Sequence, residues 1–292
     1  MNDPTAIVSG SRTYQVQKRL PDGECSDLYL STIEGDPKRR PVLVKIAAEP
    51  ALNKFVLNEA ASLEQINREL KRTGASRQIQ LTVPERIDAF EWNGRATVVT
   101  DYAEGYYTLE EVRAAYPDGV APEHAAWIFN RMLFSLMAAH STGIVHGKLL
   151  PCHMLVRSGD ANDEMRHTGV LVDWTCALKE TEPGKWPHLG AMSEEYEEYY
   201  PWEVKRGRPA SPLTDLAMAA ACGIYLLGGD VKTGEVPETV PWQMAQIFRH
   251  CRNPNPAARP RTLTELYEQF KKMLFVIFGE PMFHELPLPP RP

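Results

Sequence analysis

The spacing of the apolar residues changes once along this chain, and that change restricts the folds open to it. Residues 13 to 48 alternate apolar and polar positions in short runs, as in Leu28-Tyr-Leu-Ser-Thr-Ile33 and Val42-Leu-Val-Lys-Ile46, with Gly, Asp and Pro between them. A period of two lines one face of a strand, so this part predicts an antiparallel sheet. From Leu52 to Leu70 the residues Leu52, Phe55, Val56, Ala60, Leu63, Ile66 and Leu70 recur at helical spacing and Gly74 follows as a stop, which predicts one amphipathic helix over about 52–72. Two further strands are expected near Arg86–Glu91 and Ala96–Asp101. Beyond them the pattern is helical to the end of the chain, with helices expected at about 108–115, 122–141, 212–228, 240–251 and 262–278. The order implies an α+β protein. Its small β lobe with one main helix is expected over residues 1–102, a larger helical lobe over 103–285 and a Pro-rich tail over 286–292, with the break near Tyr102 to Gly105.

Composition excludes several classes of function. The 292 residues, 43% hydrophobic and 24% charged, suffice for an ordinary globular core. Net charge is −6 and the basic residues are dispersed apart from Lys38-Arg39-Arg40, which argues against a nucleic-acid partner. The first residues lack a basic head and an apolar segment, and no window approaches a membrane span, so a cytoplasmic protein without a membrane partner is expected. Five cysteines without Cys-x-x-Cys spacing argue against a disulfide framework and a structural zinc site. Cys152 and Cys176 read as small apolar filling. Glu194-Glu-Tyr-Glu-Glu-Tyr-Tyr200 reads as a solvated acidic face, and Leu286-Pro-Leu-Pro-Pro-Arg-Pro292 as an extended polyproline segment.

Ile144-Val-His-Gly-Lys-Leu-Leu-Pro-Cys-His-Met-Leu-Val156, followed by Gly169-Val-Leu-Val-Asp-Trp-Thr175, resembles the catalytic loop and metal-binding segment of a eukaryotic-type protein kinase. In that family a His-Arg-Asp-x-x-x-x-Asn run precedes Asp-Phe-Gly. The resemblance puts His146 at the His, Gly147 at the Arg, Lys148 at the catalytic Asp, His153 at the metal-binding Asn and Asp173 at the Asp of Asp-Phe-Gly. Val42-Leu-Val-Lys45-Ile resembles the strand whose Lys contacts nucleotide phosphates, and Leu57-Asn-Glu59 resembles the helix whose Glu pairs with it. Only Gly23 remains of the Gly-rich loop; Pro21 and Ser26 stand where the other glycines would be, and Asp22 and Asp27 would repel phosphates. Val98-Val-Thr-Asp-Tyr-Ala103 resembles the strand into the hinge, which would put Thr100 at the gatekeeper position and turn the backbone of Asp101 to Ala103 toward an adenine. Tyr200-Pro-Trp-Glu203, Asp215 and Arg259 resemble the supports of the helical lobe, with a buried bidentate pair expected between Glu203 and Arg259. Together these motifs, spread over residues 20 to 270, imply a bilobal protein-kinase-like fold. Residues 146–153, 172–174 and 224–230 also resemble kinase-like proteins of bacteria and their phages.

The substitutions bear on the chemistry. A carboxylate at position 148 would accept the substrate hydroxyl proton, whereas Lys148 is a donor with no acceptor while charged. His153 offers nitrogen where Mg²⁺ takes oxygen, and a His hydrogen-bonded within its own loop is expected. The His-Gly opening also resembles aminoglycoside and choline phosphotransferases, whose His-Gly-Asp loop keeps the Asp. No catalytic residue is intact in the loop His146, Gly147, Lys148 and His153. Gly23, Lys45, Glu59, Asp101, Ala103 and Asp173 are the candidate nucleotide-binding residues, with Asp173 the candidate ligand for weakly held Mg²⁺ or Mn²⁺. The implied function is a catalytically deficient pseudokinase with weak ATP binding and a protein partner. An active atypical Ser/Thr or small-molecule kinase and a nucleotide-free interaction module, using residues 194–203 or the Pro-rich tail, are the alternatives.

Overall fold

The computed structural model describes residues 3–159 and 167–290, so Arg291 and Pro292 of the tail lie outside the described residues. The chain divides into two compact units. The first comprises the residues up to Gly74, Pro84–Glu104 and Asp173–Cys176; the second comprises Ala75–Val83, Gly105–Val172 and the residues from Ala177 onward. Two short pieces, 75–83 and 173–176, therefore join the unit that the linear order would not assign them to.

The first unit is built on a six-stranded antiparallel sheet. Its strands are β1 (Ala6–Ser9), β2 (Arg12–Arg19), β3 (Ser26–Ile33), β4 (Pro41–Ala47), β5 (Arg86–Trp92) and β6 (Arg95–Asp101), in the order β1-β2-β3-β4-β6-β5. The alternation along β4 separates its two faces. Val42, Val44 and Ile46 join Ile7, Tyr14, Tyr29 and Val99 in one core. Ala47 on the other face packs with Ala96 and Val98 of β6 against Val56 and Ala60 of helix α1 (Asn53–Arg72). Leu63, Ile66 and Leu70 extend the buried stripe of α1 at three- and four-residue steps. Lys71 and Arg72 end α1 with charges that suit the negative end of its dipole. Lys45 falls between Val44 and Ile46 and pairs in register with Val98, so the pleat turns it toward α1.

The second unit carries seven α-helices among the described residues: α2 (Arg77–Gln80), α3 (Leu109–Ala115), α4 (Pro122–His140), α5 (Trp202–Lys205), α6 (Pro212–Leu226), α7 (Trp242–Cys251) and α8 (Leu263–Phe278). Helix α6 is buried almost all round, and its run Ala219-Ala-Ala221 keeps it slim enough for neighbours on every side. Phe129 of α4 meets Phe248 of α7 and Phe270 of α8 edge-on, at centroid distances of 5.0 and 5.1 Å. Helix α6 ends where two backbones touch. A Cβ on Gly119 would lie 2.4 Å from the Leu227 carbonyl carbon and one on Gly228 2.2 Å from the Asp118 oxygen, which accounts for glycine at both positions.

The expectation of an entirely helical second lobe is corrected by five short strands: β7 (Tyr107–Thr108), β8 (Ile144–Val145), β9 (Met154–Ser158), β10 (His167–Leu171) and β11 (Leu178–Lys179). They form the sheets β10-β9-β7 and β11-β8. Strands of two to five residues are too short to display a period of two, which is why the apolar pattern did not separate them from helix. Strand β1 was missed for the same reason. Residues 194–200 are only half the solvated face expected: Glu194, Glu195 and Glu197 are exposed, but Tyr199 and Tyr200 are buried. No described helix is long and apolar enough to cross a membrane. All five cysteines are free thiols.

Candidate functional site

Three of the candidate residues meet in the first unit. The Lys45 ammonium on β4 donates to Glu59 Oε2 of α1 at 2.7 Å and to Asp173 Oδ1 at 2.7 Å. Period two on β4 aims Lys45 at α1, and the buried stripe of α1 includes Glu59, so the pair follows from the two local patterns. Asp173 reaches the same point through its neighbours. The Trp174 N–H donates to Glu59 Oε1 at 3.3 Å, Asn58 Nδ2 donates to the Thr175 carbonyl at 3.1 Å, and the Thr175 hydroxyl donates to Asp173 Oδ1 at 3.1 Å. Trp174 is fully buried beneath them. Asp173 holds a left-handed backbone with φ of 63°, a conformation that Asp tolerates better than most residues.

Burial alone would push the Lys45 ammonium down, but Asp173 and then Glu59 more than offset it and hold the pKa above the ordinary lysine value. Burial pushes the Glu59 carboxyl up; Lys45 opposes this and Asp173 adds to it. Two of the three Lys45 protons are thus engaged by the two carboxylates, which leaves one for a further acceptor.

The remaining nucleotide candidates are placed elsewhere in the same unit. Gly23 lies in the connection between β2 and β3, where its N–H donates to the Ser26 carbonyl at 2.9 Å and the Ser26 N–H donates back at 3.4 Å. Those amides close their own turn and are not offered to phosphates. The acidic residues of the loop are also spoken for: Arg19 donates to both oxygens of Asp22 and to Asp27 at 3.0 Å, and Arg95 donates to Asp27 at 2.8 Å. Sequence reading missed this clamp, although Arg19 and Asp22 stand only three residues apart. Asp101 ends β6; its N–H donates to the Glu85 carbonyl at 3.1 Å and its own carbonyl accepts from Thr100 Oγ1 at 3.1 Å. Ala103, by contrast, has no backbone hydrogen bond among the described residues.

His146, Gly147, Lys148 and His153 come together in the second unit, between β8 and β9. Asp215 of α6, fully buried, organises them: its Oδ2 accepts from the His146 N–H and its Oδ1 from the Gly147 N–H, both at 2.8 Å. His140 Nε2 donates to the same Oδ2 at 2.8 Å. Asp215 belongs to this constellation although it was not among the candidate site residues. Gly147 has φ of 74°, so the turn after His146 needs a residue without a Cβ. Acceptor carbonyls fix the histidine tautomers. His146 Nε2 donates to the Val172 carbonyl at 3.0 Å and its Nδ1 accepts the Lys148 N–H at 3.2 Å. His153 Nδ1 donates to the Lys148 carbonyl at 2.8 Å, so His153 is hydrogen-bonded within its own loop. The Lys148 side chain is buried. Among the described residues no group of three or more His, Cys, Asp and Glu is placed to hold a metal ion.

The ion pair expected in the helical lobe is present. Arg259 Nη1 and Nη2 donate to the two oxygens of Glu203 at 2.6 and 2.9 Å, with both side chains buried, as the motif spacing led us to expect.

No family model matches the chain. A serine/threonine-protein kinase D of Synechocystis sp. is 25% identical over 178 residues, 58% of this chain and 30% of that protein, so the chain spans less than a third of that relative's length. Among solved structures, the Mycobacterium tuberculosis PknI kinase domain matches with a TM-score of 0.61 at 18% identity, covering 93% of this chain and 99% of that one. The BubR1 kinase domain matches with a TM-score of 0.68 at 16% identity, covering 92% and 82%. At identities this low it is the fold that is shared, and this chain has the protein-kinase-like fold.

Proposed function

We propose that this protein is a catalytically deficient kinase-fold protein that binds an adenine nucleotide weakly through Lys45 and works through a protein partner. The observation that carries this reading is the buried Lys45 ammonium, 2.7 Å from Glu59 and 2.7 Å from Asp173, with one donor position left for an anion. Only part of the chain suits a nucleotide. Lys45 and Glu59 fit a phosphate anchor, Ala103 leaves its backbone open to an adenine edge, and Asp173 is one carboxylate for Mg²⁺ or Mn²⁺. The amides of the Gly23 turn do not fit, because they bond to each other, and His153 supplies no oxygen. Lys148 keeps a donor where the transferred proton needs an acceptor, and losing a positioned base costs about 10²- to 10⁴-fold in rate.

Isothermal calorimetry of wild type with ATP, with and without Mn²⁺, should give weak uptake that Lys45→Met removes. No uptake by wild type at millimolar ligand would refute the nucleotide reading and leave the interaction module. Radiolabelled phosphoryl transfer should be absent in wild type and appear with Lys148→Asp combined with His153→Asn. Robust transfer by wild type, lost with Asp173→Ala, would establish the atypical-kinase alternative instead.

A further inference from the structure

The Pro-rich segment lies against the chain's own second unit. Tyr107 of β7 donates its hydroxyl to the Pro289 carbonyl at 2.6 Å, and Tyr116, just past α3, donates to the Pro287 carbonyl at 2.6 Å. Ser158 of β9 accepts the Leu286 N–H at 2.9 Å, and His167 of β10 donates from Nε2 to the His284 carbonyl at 2.9 Å. The apolar side chains follow the same surface. Leu286 is 2% exposed, and Phe283 meets the His167 ring at 4.7 Å, itself stacked on Trp127 of α4 at 4.2 Å and 5°.

The chemistry of this contact is that of polyproline recognition. Pro287, Pro289 and Pro290 have no N–H, so the segment cannot extend the β10-β9-β7 sheet as a further strand and presents carbonyls instead. Tyrosine hydroxyls are the matching donors, and a segment already stiffened by proline loses little entropy on docking. The surface provides two such donors two residues apart in the ligand, one buried leucine pocket and an aromatic stack beside it.

We propose that this face of the second unit is a docking groove for proline-rich segments of the Leu-Pro-x-Pro class, and that residues 283–290 occupy it in cis as a displaceable ligand. Displacement is within reach because the anchors are few. Among the described residues one leucine is buried and four hydrogen bonds hold the segment, and Met282 just before it is 71% exposed. A partner carrying the same kind of segment competes with a tethered ligand at an effective concentration of about millimolar, which sets weak apparent affinity in the resting protein. The proposal does not depend on nucleotide binding.

The test uses the full chain and a fluorescein-labelled peptide of residues 281–290. Anisotropy titrations should show the Leu286→Asp chain binding the peptide at least ten-fold more tightly than wild type, because the cis ligand has been released. Adding Tyr107→Phe and Tyr116→Phe to that chain should weaken binding by about ten-fold or more, two hydrogen bonds being lost. A peptide that itself carries Leu286→Asp should not bind. Equal binding by wild type and the released chain, or no effect of the two tyrosine changes, overturns the proposal. Hydrogen exchange keeps it falsifiable should Leu286→Asp disturb the fold: in an otherwise wild-type chain, Tyr107→Phe with Tyr116→Phe should speed exchange at the Leu286 amide, which donates to Ser158, and unchanged protection there overturns it.

Discussion

Arg259→Met tests whether the second unit depends on a paired buried charge. Arg259 is 3% exposed and makes four hydrogen bonds: two to Glu203, at 2.6 and 2.9 Å, one from Nε to the Asn253 carbonyl and one to the Leu213 carbonyl, both at 2.9 Å. Methionine fills similar volume without charge, so the main loss is electrostatic. Glu203, 5% exposed, would keep a carboxylate with no cation beside it, which costs about 3–5 kcal/mol. Adding Glu203→Met removes that stranded charge and leaves only the two carbonyls short of a donor, a cost of about 1–3 kcal/mol. The double variant should therefore be more stable than Arg259→Met alone, by about 2 kcal/mol. Urea denaturation of the four proteins, followed by circular dichroism with m-values compared, gives the coupling energy directly. If Arg259→Met costs under about 1 kcal/mol, or the double variant costs the sum of the singles, the burial argument fails.

Two further outcomes follow from single sites. Asp215→Asn replaces one acceptor oxygen with an amide that faces the His146 or Gly147 N–H, so stability should fall by about 2–4 kcal/mol and exchange of those two amides should accelerate; unchanged protection would refute the role given to Asp215. Burial chiefly, with Arg131, His124 and His284 adding to it and the bond to His284 opposing, lowers the His167 pKa from 6.5 to about 4, so the unfolded chain takes up its proton first as pH falls. The stability this residue contributes is present above pH 6.5 and lost toward pH 4, and thermal melts of His167→Gln should lack that part of the slope.

The parts of this protein that were legible in its sequence are those where a long period or a spaced motif carries the information. Helix α1, 20 residues long, shows its stripe plainly, and the Lys45–Glu59 pair follows from where the strand and helix patterns point. Strands of two residues carry no period, so β7, β8 and β11 had no signal of their own. The Gly23 turn shows a different limit. Its departures from a glycine-rich loop were visible, but not that Gly23 and Ser26 pair with each other or that Arg19 and Arg95 take up the loop's carboxylates. Those contacts depend on register between β2, β3 and β6, which one sequence does not state.

The two histidines of the loop, one matching the kinase pattern and one departing from it, have structural work of their own. His146 binds the Val172 carbonyl through Nε2, and the His153 carbonyl accepts the Val172 N–H at 2.9 Å. Val172 is thus held on both sides, and it is the residue that delivers the chain to Asp173. His153 meanwhile spends its Nδ1–H on the Lys148 carbonyl. An asparagine at 153 could make a similar bond only by turning its amide nitrogen inward, which would leave its oxygen for a cation; the imidazole closes the loop without offering oxygen at all. Asp215, Glu203, Arg259 and Glu59 are buried groups whose removal would strand a charge or a backbone amide. Asp215 fixes the loop through the His146 and Gly147 backbone amides, whatever side chains stand at 148 and 153, so the chemistry there can differ while the framework stays intact.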